Sequence, residues 1–183
     1  MLPAALAALA VLACAAGGGA AGPAVAGLPV PGGFLIGYVH SVYHAPTAEV
    51  FTVEGDRFTM RAVVSAGGGV LDYYALAGPR GRTRDGAYAL RLARPATYAE
   101  LSLLATALGR RTLVAGGRCR PLYPPAGAAE LRLRVRTVPA APGGPCPPPY
   151  NQSFFLNTAY SATDVTATSA VENQNPQGWP EPG

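Results

Sequence analysis

The sequence predicts an all-β fold, a small antiparallel sandwich or barrel of about seven short strands. Three observations lead there. Apolar and polar residues alternate with a period of two in several separate runs. Those runs are rich in β-branched and aromatic residues. Gly, Pro and Asp interrupt them at the spacing of roughly 8–12 residues that is usual for sandwiches.

The first expected strand is 34–42 (FLIGYVHSV), followed by 49–54 (EVFTVE). Glu54-Gly55-Asp56 then marks a tight hairpin. In 57–64 (RFTMRAVV), Phe58, Met60, Ala62 and Val64 are expected on one face, against Arg57, Thr59 and Arg61. In 87–92, Tyr88, Leu90 and Leu92 oppose Arg91. The segment 98–108 (YAELSLLATAL) has helix-forming composition but lies among strands, so a strand is preferred and a helix is the alternative. TLVA at 112–115 reads as a short strand ended by Gly116-Gly117. The last run, 130–138 (ELRLRVRTV), turns Leu131, Leu133 and Val135 inward and Arg132, Arg134 and Arg136 to water.

The flanks differ from this core. Residues 1–16 hold an eleven-residue apolar run, Leu2 to Leu12, followed by small residues. That is the size of a signal-peptide core and short of the roughly 20 residues needed to span a membrane. Val11-Leu12-Ala13-Cys14 resembles a lipoprotein processing box, so Cys14 is a candidate for lipidation. Residues 17–33 read as a flexible linker. In the tail, 139–183, six of the eleven positions from Pro139 to Pro149 are proline, and polar residues follow, so it is expected to be mostly disordered. The domain proper is thus placed at 34–138, outside the cytoplasm, anchored at the membrane surface or secreted. Cys119 and Cys146 are left as a candidate disulfide that pins the tail to the domain.

The chain has 183 residues, 14 Lys+Arg and 10 Asp+Glu, and a net charge of +4. All the basic residues are arginines, and all lie between Arg57 and Arg136. Alternating arginines on a strand face serve solvation and guard an edge. The partners they suit are anionic lipid headgroups or acidic protein patches, and no nucleic-acid contact is expected of an exported protein.

One cluster stands above this background: Tyr38, His40, Ser41, His44, Pro46 and Glu49. His and Ser at the end of an apolar strand are costly to bury without partners. Pairing of the flanking strands would bring Glu49 near His40 and fix its tautomer. Three roles are open. The residues satisfy one another and lock the hairpin, or they contact a ligand or partner, or they act as catalysts or as metal ligands, the metal set being His40, His44 and Glu49. The metal reading rests on three ligands with no supporting motif. No G-x-S-x-G elbow occurs, so no enzyme is predicted. Gly67, Gly68 and Gly69 lack the Lys-Ser/Thr of a phosphate loop and are expected to serve positive φ or a close approach. No cofactor is called for.

Tyr38-x-His40-Ser41-Val42 with Pro46 and Glu49, then Ser65-x-Gly67-x-Gly69, resembles the bacterial domain-of-unknown-function family 1850. Arg84-Asp85-Gly86 and the strand–Gly-Gly–strand layout at Gly116-Gly117 are in keeping with it, and the likeness covers 34–138. The resemblance implies an exported accessory protein of TAXI-type TRAP solute uptake that contacts a solute-binding protein or membrane subunit. His40, Ser41, Glu49, Gly67 and Gly69 are then the expected contact cluster.

Overall fold

The computed structural model describes residues 21–139, 141, 143–152 and 155. Cys14, the expected export segment and most of the tail lie outside the described residues. Within them the chain is mostly strand and every pairing is antiparallel, in a sandwich-like all-β arrangement. No helix of the described residues is long and apolar enough to cross a membrane.

The strands are β1 (Gly22–Val25), β2 (Leu28–Pro29), β3 (Gly33–Val39), β4 (Pro46–Glu54), β5 (Arg57–Ser65), β6 (Arg80–Arg82) and β7 (Tyr88–Tyr98). They continue with β8 (Leu101–Thr106), β9 (Thr112–Ala115), β10 (Arg118–Pro121), β11 (Ala128–Leu133) and β12 (Val135–Val138). A five-residue helix, α1 (Gly69–Tyr73), follows β5. The main sheet has seven strands in the order β10-β9-β3-β4-β5-β7-β6. Two smaller sheets, β12-β1-β2 and β11-β8, account for the rest.

One face of the main sheet and the smaller sheets share a core built on Phe34, Ile36, Phe51, Phe58, Val63, Leu90 and Leu113. Phe34, Phe51 and Phe58 meet at ring-centroid distances of 4.9, 5.4 and 5.5 Å, stacked or edge-on. Such pairs add about 0.5–1.5 kcal/mol each to the burial of their area. The other face carries a second core of Leu35, Val50, Val64, Ala89 and Val114.

Several expectations are corrected here. The 17–33 segment is not wholly linker: β1 pairs with β12, and Val25, Leu28 and Val30 are buried. The folded unit therefore starts at Gly22, ahead of residue 34. The tail is likewise ordered at its start. Gly144 bridges Cys119, a disulfide joins Cys119 to Cys146, and Tyr150 and Phe155 are buried on the second core. Apolar sheet surface left by β3, β4, β5 and β9 explains this, because it needs a cover.

In β5 the period-two reading breaks at a register shift between Met60 and Ala62. Phe58 and Met60 join the first core with Val63, while Ala62 and Val64 belong to the second. An extra residue at a bulge exchanges the faces beyond it. The 130–138 run divides at Arg134, its first half pairing with β8 and its second with β1. The ambiguous 98–108 segment contains a strand, β8.

Candidate functional site

β3 and β4 are joined by a turn over 40–45 rather than by continuing strands, which determines what the motif residues can reach. The His40 N–H donates to the Ala45 carbonyl at 3.0 Å, and the His44 N–H donates to the His40 carbonyl at 2.8 Å. The imidazole completes the turn: Val42 and Tyr43 N–H groups point to His40 Nδ1 at 3.3 and 3.4 Å. Burial holds the His40 pKa below its ordinary value, and a nitrogen accepting amide protons must be unprotonated. Tyr73 lies edge-on to the ring at 4.8 Å and Tyr43 is tilted against it at 5.3 Å.

Glu49 does not reach His40. Its position pairs with Ile36 in the ladder, and its carboxylate accepts a hydrogen bond from the Tyr74 hydroxyl at 2.7 Å. The Tyr74 hydroxyl in turn contacts the Tyr38 hydroxyl. With Tyr74 donating to Glu49, Tyr38 donates to Tyr74, so both protons run toward the carboxylate. Burial raises the pKa of both phenols, and the Glu49 charge adds to this. The mutual locking of His40, Ser41 and Glu49 is therefore replaced by two separate devices: a histidine-capped turn and a Tyr38–Tyr74–Glu49 chain.

The proposed metal set does not assemble. His44 sits at φ 49° on the exposed turn, Glu49 is committed to Tyr74, and no group of three His, Cys, Asp or Glu side chains suited to a metal occurs among the described residues. None of the three loop glycines is left-handed; close approach is their reason. A Cβ on Gly69 would stand 2.8 Å from the Tyr43 ring, and one on Gly68 would stand 3.0 Å from Tyr88. Buried Thr47 and Ser65, bonded to each other at 2.9 Å, hold the loop as the Gly67 N–H donates to Ser65 Oγ at 3.1 Å.

These elements frame a cleft of about 570 Å³. His40 and Ser41 line one side, Tyr73 and Tyr74 of the α1 region another, and Leu104, Thr106, Gly109 and Arg111 a third. Arg111 stacks over the Tyr38 ring at 5.0 Å and donates from Nε to the Leu104 carbonyl at 3.0 Å. The sequence groups Arg111 with solvated arginines and does not single out Tyr73, Tyr74 or Leu104. Only the Tyr-Tyr pair just beyond the glycine loop could have hinted at them. A second cleft, of about 490 Å³, has Arg132 and Arg134 on its wall, and both of these pair with Glu100.

Six large apolar side chains are notably exposed among the described residues: Val42, Tyr43, Tyr73, Leu76, Leu104 and Leu108. All belong to the segments that frame the 570 Å³ cleft: the 40–45 turn, α1 with its exit, and β8 with the turn after it.

Fold and site together define an all-β domain with an aromatic cleft at one end of its main sheet. Residues 34–122 match the family model described as a domain of unknown function (DUF1850). No curated protein and no solved structure gives a significant match.

Proposed function

We propose that this protein is a binding protein that works outside the cytoplasm, with the cleft end of its sheet as its contact surface. The observation that carries this reading is that, among the described residues, all six exposed large apolar side chains lie on the segments around one cleft. Scattered exposed apolar residues are ordinary, whereas their concentration on the segments around one cleft is in keeping with a partner surface. Tyr is also among the residues that contribute most to interfaces.

The partner is a component of a TAXI-type TRAP uptake system, either its solute-binding protein or a membrane subunit. The choice of partner rests on what the motif resemblance implies, and the N-terminal apolar run is in keeping with delivery to the same side of the membrane. In this reading His40, Gly67 and Gly69 shape the surface from within, and Ser41 lies on it. Affinity capture of the full chain from membranes tests the proposal. A TRAP subunit is expected to co-purify with the native chain and to be lost with the double variant Leu104→Ser, Leu108→Ser. Capture without any TRAP subunit, or equal capture by the variant, counts against it.

A further inference from the structure

The wall of the cleft holds a cation that the fold has oriented but not neutralised. Arg111 is fixed at two points, by its Nε bond to the Leu104 carbonyl and by the Tyr38 ring beneath it. No carboxylate among the described residues pairs with it; the ion pairs there use Arg61, Arg80, Arg132 and Arg134. Glu49, the nearest candidate through the tyrosine chain, does not line the cleft and already accepts the Tyr74 hydroxyl. The terminal N–H groups of the guanidinium are thus available, and holding Arg in place lowers the entropy lost when it binds an anion.

The surroundings specify the anion further. Among the described residues Arg111 is the only Arg or Lys side chain on the cleft wall, which suits a single negative charge better than a phosphate dianion. Tyr73, 65% exposed, and Leu104, 57% exposed, offer apolar surface beside it. A volume near 570 Å³ falls in the usual range of small-molecule sites. We propose that the cleft binds a small organic monocarboxylate with an apolar or aromatic body, its carboxylate on Arg111 and its body against Tyr73 and Leu104. This site goes beyond the partner contact and does not depend on it.

Titration of the ¹⁵N-labelled full chain with phenylacetate, and separately with phenylacetamide, tests the site. Phenylacetate should give saturable amide shifts in the 40–45 turn and at 104–111, and should bind at least tenfold more tightly than the uncharged amide. Arg111→Gln should weaken phenylacetate at least tenfold. Leu104→Ala keeps the backbone carbonyl that anchors Arg111, so a separate several-fold loss there reports the apolar contact even if Arg111→Gln fails to fold. Equal binding of acid and amide, shifts that do not saturate, or unchanged binding by both variants would overturn the proposal. Partner capture by Arg111→Gln is read separately, so the failure of one proposal is distinguishable from the failure of the other.

Discussion

Tyr74 is the residue on which most of the site's polar chemistry depends, because its hydroxyl joins the Glu49 carboxylate to the Tyr38 hydroxyl. Tyr74→Phe strips Glu49 of this donor and Tyr38 of its acceptor, and a buried group left unpaired costs about 1–3 kcal/mol. Tyr38→Phe leaves the Tyr74–Glu49 bond intact and should cost less; urea denaturation at pH 7 compares the two. The same phenols impose an alkaline limit. Their folded pKa values lie above the ordinary 10.0, so the folded state holds its protons when the unfolded chain begins to lose them. Their contribution is complete below pH 10 and fades as the pH rises further. His40 acts in the opposite sense: its folded pKa is lowered, so the unfolded chain binds the proton more readily. Its contribution is complete above the ordinary 6.5 and falls away as the pH drops below it. Denaturation midpoints from pH 4 to 8 should show this slope, and His40→Asn should flatten it. His40 and Ser41 were legible as site residues because polar side chains ending an apolar strand need an explanation. Tyr74 and Arg111 were not, since their partners lie 36 and 25 residues away for Tyr74 and across separate strands for Arg111.

Among the elements, β3, β4 and β9 stood out in the sequence because their residues favour strands, and β5 because its apolar and polar residues alternate. β1 and β2 were hidden because GPAV and LP carry no alternation; β1 becomes a strand by pairing with β12, and β2 by pairing with β1. The five-residue α1 is too short to show a helical period. Residues 143–152 and Phe155 belong to what reads as a proline-rich tail, yet they act as a strap over the second core. Tyr150 anchors it: its hydroxyl donates to the Arg110 carbonyl at 2.6 Å, and burial pushes its pKa up to about 12. Gly37 lies beneath that ring, where a Cβ would stand 2.7 Å away. Gly37→Ala should therefore lift the strap at a cost of about 1–3 kcal/mol, the usual range for overpacking. Thermal unfolding checks the cost, and proteolysis near residue 150 checks the release. Cys146→Ser removes the link to Cys119 across a separation of 27 residues and should cost about 3 kcal/mol, by denaturation of native and variant chains.

At the scale of the whole molecule the sheet is polarised. The cleft, the exposed apolar side chains and Arg111 gather at the end where β3 passes into β4, while the Gly55-Asp56 hairpin closes the other end of β4. β4 has nine residues, so the two ends stand roughly 30 Å apart. The sequence revealed the all-β class because periodicity is local. It could not reveal this polarity, because the apolar residues concerned are pairs of positions in three segments distant in the sequence. The central claim, that the cleft end is the working surface, is tested most directly by photo-crosslinking in living cells. A photoreactive residue at Leu104 should trap a TRAP solute-binding protein or membrane subunit, and the same residue at Asp56 should not. Equal trapping from both positions, or trapping from Asp56 alone, would contradict it.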